Sequence, residues 1–145
     1  MKKHFHLTMA FAALIVTLTG CSDRPVLPAQ LPQEIQVFVQ QYFPNQQVSY
    51  ADKDWDWFGY QYDVMLADGT EINFDTNNAW DKVESRLNPV PAALVPAPIA
   101  TYVNTNFQAV SIVKIDKERY GYEIELSNDL ELKFNQQGQL LYIDD

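Results

Sequence analysis

Three sets of side chains are spaced for chemistry, and all of them are acidic or aromatic. Asp52, Asp54 and Asp56 alternate through Asp52-Lys53-Asp54-Trp55-Asp56-Trp57-Phe58, and Asp63 falls at the twelfth position counted from Asp52. Calcium loops carry carboxylates at alternate positions and close with an acid at the twelfth, so this stretch is a candidate metal site. Against that reading, Trp57 stands where the sharp turn requires glycine, and a closing Asp chelates less readily than Glu. A second reading takes Trp55, Trp57 and Phe58 as an aromatic platform for a partner protein or a sugar, rimmed by the aspartates. Large apolar side chains are usually buried, so at least one tryptophan is expected to cap the core instead. The third set is the pair Glu71 and Glu131. A glycosidase needs two acids flanking a cleft, whereas equivalent acids on a sheet are normally just solvated. With no Gly-rich phosphate loop, nucleophile elbow or metal cluster, an enzyme is not expected and no cofactor is implied.

The single cysteine points elsewhere. Lys2 and Lys3 precede an apolar run, Met9 to Val16, that is too short to stay in a bilayer as a spanning helix, the pattern of an export signal. Leu18-Thr19-Gly20-Cys21 then resembles the bacterial lipobox, in which small residues allow cleavage before a cysteine carrying diacylglycerol. Residues 1–20 are therefore expected to be a lipoprotein signal, and mature protein to begin at lipidated Cys21. Its acyl chains would hold the domain at a membrane without a spanning segment. Ser22, rather than the aspartate that commonly retains lipoproteins in the inner membrane, favours the outer membrane of a Gram-negative envelope. This reading also removes the sole thiol from chemistry, and both histidines, His4 and His6, leave with the signal. The mature chain keeps 8 basic residues against 19 acidic ones, a formal charge of −11, which disfavours nucleic acid and anionic surfaces as partners.

Residues 21–30, with Pro25 and Pro28, are expected to be a stiff tether, leaving 31–145 as one domain. Its two halves, 31–88 and 89–145, can be laid over each other. Ile35, Phe38, Val39 and Phe43 match Ile99, Tyr102, Val103 and Phe107, Gly59-Tyr60 matches Gly121-Tyr122, and Glu71 to Asp75 matches Glu131 to Asn135. Each half opens with an apolar stripe of helical spacing behind Pro32 or Pro96, predicting helices over 32–43 and 96–107. The period then changes to two: Tyr60, Tyr62, Val64 and Leu66 alternate with Gln61 and Asp63, as Tyr122, Ile124 and Leu126 do with Glu123 and Glu125. Turns at Asp68-Gly69, Asn77-Asn78, Asn128-Asp129 and Gln137-Gly138 separate further strands. With strands near 47–52 and 110–116, the expected fold is α+β: a tandem repeat of a helix plus a four-stranded antiparallel sheet, helices packed on one face. Pro89 to Pro98 is the connector, with one helical turn at Ala92 to Leu94.

The proline-started helix ending in Tyr42-Phe43-Pro44, the Gly59-Tyr60 pair, Asp68-Gly69-Thr70-Glu71-Ile72-Asn73-Phe74-Asp75 and the second ending Phe134-Asn135-Gln136-Gln137-Gly138 resemble the PepSY-like family, related in fold to β-lactamase inhibitor protein. The resemblance covers nearly all of 31–145. It implies a curved antiparallel sheet with helices on one face, and binding or inhibition rather than chemistry. Leu130 and Gln108 depart from the pattern and alter loop shape only.

The helix-free face should then carry Gln61, Asp63, Glu71, Asn73 and Asp75, with Glu123, Glu125, Glu131 and Lys133. Such a face is often simply solvated. As a functional surface it would join Trp55, Trp57 and Phe58 in docking a basic surface of an envelope protein, in its sharper form by inhibiting a periplasmic enzyme. The alternatives are a structural envelope lipoprotein without a discrete ligand, and a calcium or glycan binder centred on Asp52 to Phe58.

Overall fold

Both apolar stripes form helices within a residue of their expected ends. In the computed structural model, which describes residues 24–144, α1 spans Gln33–Tyr42 and α2 spans Ala97–Asn106. Pro32 and Pro96 sit at the N-caps, where extended backbone precedes the first turn and a missing amide is harmless. Glu34 adds a favourable charge to the first turn of α1. Ile35 and Val39, like Ile99 and Val103, are buried.

The strands correct the expected architecture. Instead of two helix-plus-four-strand units, the described residues form one antiparallel sheet of nine strands in sequence order, with two α-helices. These are β1 (Arg24–Pro25), β2 (Val48–Asp56), β3 (Gly59–Leu66), β4 (Glu71–Phe74), β5 (Trp80–Glu84), β6 (Ile112–Glu118), β7 (Gly121–Leu126), β8 (Glu131–Asn135) and β9 (Leu140–Asp144). The decisive contact is β5 with β6, where Lys82, Val83 and Glu84 pair with Asp116, Ile115 and Lys114. The connector and α2 lie between those strands in sequence, so the pairing leaves no local signature. Within the segment expected as a tether, Arg24 and Pro25 pair with Lys53 and Asp52, and Pro28–Gln30 forms a 3-10 turn. The helical turn expected at Ala92 to Leu94 forms as a 3-10 helix.

A single apolar row crosses the sheet. Ala51, Val64, Ile72, Val83, Ile115, Ile124, Leu132 and Ile143 are successive cross-strand partners, and the first seven are at most 2% exposed. Burial of each such aliphatic side chain larger than alanine is worth about 1.5–3 kcal/mol, so one hydrophobic layer ties the sheet together. The helices cover this face: Phe38 of α1 meets Phe74 edge-on at 5.3 Å, and Tyr102 of α2 meets Phe134 at 5.6 Å. At the connector, Thr70 Oγ1 donates to Ser85 Oγ at 3.1 Å, and Asn88 donates to Asp68 at 3.2 Å.

Candidate functional site

Strand alternation sends every second side chain to the face that the helices leave open. The row beside the apolar one runs Asp52, Asp63, Asn73, Lys82, Asp116, Glu123, Lys133 and Tyr142, again as successive partners. The next runs Tyr50, Met65, Glu71, Glu84, Lys114, Glu125, Glu131 and Asp144. Glu71, Glu123, Glu125 and Glu131 are thus on one face with Asp63, but in two groups. Asp63 and Glu71 belong to β3 and β4, Glu123 and Glu131 to β7 and β8, four strand spacings or about 19 Å away.

The two groups differ in charge balance. On the β5 to β8 side, Lys114 Nζ lies 3.1 Å from Glu123 Oε1 and Lys133 Nζ lies 3.4 Å from Glu123 Oε2. Glu84 is held by Lys82 at 3.1 Å and Arg86 at 3.2 Å. Burial alone pushes the Glu123 carboxyl upward, but the Lys114 hydrogen bond and the charges of Lys114 and Lys133 together bring it below the ordinary value. Asp116, half-buried with Glu118 nearby, is raised. Lys82 and Lys114 therefore make this half of the face mixed rather than mostly acidic. Their positions beside Val83 and Ile115 carry the period-two signal that would have placed them there.

Glu123→Gln leaves two ammonium groups facing an amide, and is expected to cost about 1–2 kcal/mol, between an exposed and a buried charged hydrogen bond. Because the folded Glu123 value is lowered, its contribution is present above the unfolded carboxylate value and lost as pH falls through the folded one. Urea denaturation of both proteins should show a gap at pH 7 that closes in acid. A gap independent of pH would refute the ion-pair origin.

On the β2 to β4 side, a shallow depression of about 220 Å³ is lined by Tyr50, Asp52, Asp63, Met65, Glu71, Asn73 and Lys82, among others. Asn73 Nδ2 donates to Asp63 Oδ1, and the Lys82 ammonium is drawn to Glu84. Three carboxylates therefore border the hollow beside one engaged cation.

The stretch weighed as a candidate calcium loop is a strand. Asp52, Asp54 and Asp56 lie along β2, whose pairing with β3 continues to Asp56 and Gly59. Extended backbone spreads alternate carboxylates along one face, whereas a calcium loop wraps them around a point. Asp54 and Asp56 each also accept the following backbone N–H, at 2.8 and 2.7 Å. Among the described residues, no group of three or more His, Cys, Asp or Glu side chains is arranged to hold a metal ion.

The aromatic set is likewise divided. Trp55 faces the helix side, stacked edge-on with Tyr60 at 5.0 Å, with Lys53 4.5 Å above the Tyr60 ring. Only Trp57 and Phe58 form the turn, and they are 91% and 87% exposed. The tryptophans do not border the acidic hollow, so the expected joint surface is two surfaces. Cys21 lies outside the described residues.

The geometry is that of a broad antiparallel sheet with helices on one face and charges on the other. A family model described as "Putative beta-lactamase-inhibitor-like, PepSY-like" matches residues 60–142, more than half of the chain. The chain belongs to the PepSY-like family. Solved structures agree. A "putative periplasmic protein from DUF2874 family" of Bacteroides vulgatus is 37% identical, with a TM-score of 0.80, covering 86% of this chain and 98% of that one. A "putative calcium-regulated periplasmic protein" of Bacteroides thetaiotaomicron is 35% identical, with a TM-score of 0.79, covering 85% and 97%. A second Bacteroides vulgatus periplasmic protein is 32% identical, with a TM-score of 0.79, covering 85% and 99%. Comparison with curated proteins gave no match. For this PepSY-like chain, calcium regulation belongs to the neighbour's description, and the strand geometry of Asp52 to Asp56 gives it no support here.

Proposed function

We propose that this PepSY-like protein is a lipid-anchored, non-catalytic binding module of the cell envelope, and that its open sheet face holds a partner protein through a basic side chain. The observation that carries the reading is the hollow on β2 to β4, where Asp52, Asp63 and Glu71 surround a space of about 220 Å³ with Tyr50 and Met65 at its wall. An amphipathic side chain such as Lys or Arg suits it, with an apolar stem against Tyr50 and Met65 and a charged head among carboxylates. The mature chain's charge of −11 steers basic surfaces toward it. Periplasmic neighbours and the Leu18 to Cys21 motif support the envelope location. Inhibition of a periplasmic enzyme is the narrower form of this reading, in which the captured side chain belongs to the enzyme.

Crosslinking in the native envelope, followed by identification of the captured proteins, tests it. Asp63→Lys combined with Glu71→Lys places like charges against the partner, which costs several kcal/mol, so recovery should fall roughly tenfold or more. Asp129→Lys, at an exposed turn outside the hollow, changes net charge without touching it. Equal recovery with all three proteins would refute the proposal.

A further inference from the structure

The Trp57-Phe58 turn remains unused by that surface, and its place in the fold says what covers it. Both β2–β3 and β6–β7 end in two-residue turns, closed by Asp56 with Gly59 and by Glu118 with Gly121. Asp56 is five residues beyond the core residue Ala51, whereas Glu118 is only three beyond Ile115. The two extra residues lengthen the ladder, carrying Trp57 and Phe58 about 7 Å further from the core row than Arg119 and Tyr120. Neither Trp57 nor Phe58 joins the hydrophobic core. A long strand pair that ends in the two most exposed large apolar side chains of the described residues has no folding rationale.

The amino-terminal strand gives the direction. β1 is antiparallel to β2, with Arg24 opposite Lys53, so the chain leading into Arg24 comes from the hairpin-tip side. Cys21 is three residues before Arg24, a reach of at most about 11 Å. Trp57 is four residues from Lys53, about 13 Å along the strand in the same direction. Leu66, at the opposite end of β3, is also four residues from the level of Arg24, through Tyr62, the partner of Lys53, so the direction of β1 and not distance favours the tip.

We propose that Trp57 and Phe58 rest in the headgroup layer of the membrane leaflet that holds acylated Cys21. The inference rests on the lipoprotein reading given above. Tryptophan favours that layer because its ring is apolar and its N–H can still meet water or carbonyl oxygens. Arg119 stands at this end to meet lipid phosphates, while Asp54, Asp56, Asp75 and Glu118 oppose deeper entry. The contact is therefore shallow, and the strands stand upright on the membrane. Both sheet faces then point sideways, leaving the acidic hollow open to a partner at the membrane surface.

The full lipoprotein, purified from the envelope and reconstituted in vesicles of phosphatidylethanolamine and phosphatidylglycerol, provides the test. Intact mass gives the acylation state. Tryptophan emission should be blue-shifted and quenched most by lipids brominated near the glycerol end of their chains. Trp57→Ser with Phe58→Ser should lose the blue shift and most of the quenching while keeping the wild-type circular dichroism and melting. Acylated protein whose emission ignores the brominated lipids would overturn the membrane contact and leave the lipoprotein reading intact. Protein lacking acyl mass would overturn both. A photo-crosslinking amino acid in place of Trp57 that captures a protein rather than lipid in native envelopes would assign the tip to a protein partner and also overturn the contact.

Discussion

Gly121→Ala should destabilise the fold by roughly 3–5 kcal/mol, combining the cost of a strained backbone with that of an overpacked interior. Gly121 opens β7 at φ +151°, a conformation that side-chain-bearing residues rarely adopt. A Cβ there would stand 2.1 Å from the Phe134 carbonyl oxygen and 2.3 Å from the Asn135 carbonyl carbon. Both obstacles are backbone, so no side chain can rotate away, and relief requires moving β8 from β7. Gly69 separates the two costs: its φ is +82° but nothing lies within 4 Å of an added Cβ. Gly69→Ala should therefore lose only about 1–2 kcal/mol, the left-handed penalty alone. Denaturant midpoints of the two variants decide the matter, and equal losses would show that the close approach at Gly121 is unimportant.

Local periodicity was enough for the helices and for most strands. Ile35 with Val39, and Ile99 with Val103, mark a buried helical stripe that the core honours, and Tyr62, Val64 and Leu66 mark the covered face of β3. What the pattern could not supply was pairing at a distance. Val83 and Ile115 each read as the core residue of a strand, but nothing near either one names the other as its neighbour, so two sheets were expected where one exists. A two-residue strand such as Arg24–Pro25 is too short to show any period.

The aspartate series admits two readings for a related reason. Carboxylates at alternate positions satisfy both a calcium loop and one face of a strand, and Asp52, Asp54 and Asp56 are the second. The same period of two, applied to Lys53 and Trp55, sends them to the helix face with Tyr60 and removes Trp55 from the acidic surface. Acidic residues Asp63 and Glu71 were visible as open-face positions. Their shared hollow depends on the β3–β4 register and on Tyr50, which only the assembled sheet brings alongside.

The continuity of that sheet has a measurable consequence at Phe134. Its ring is fully buried and packed edge-on against Tyr102, so Phe134→Ala should cost about 3–5 kcal/mol through lost burial and a residual cavity. That is a third or more of the stability of many domains. Every tryptophan of the chain, Trp55, Trp57 and Trp80, lies in the β2 to β5 half, while Phe134 lies in β8. If the halves were independent units, the substitution would leave the tryptophan transition in place and shift only part of the circular dichroism signal. With one apolar row running from Ala51 through Val83 and Ile115 to Leu132, both signals should move together to the same lower denaturant midpoint, as two-state unfolding requires. Separate midpoints would mean that the β5–β6 seam does not couple the halves, and that a partner held on β2 to β4 could not draw on the stability of β6 to β9.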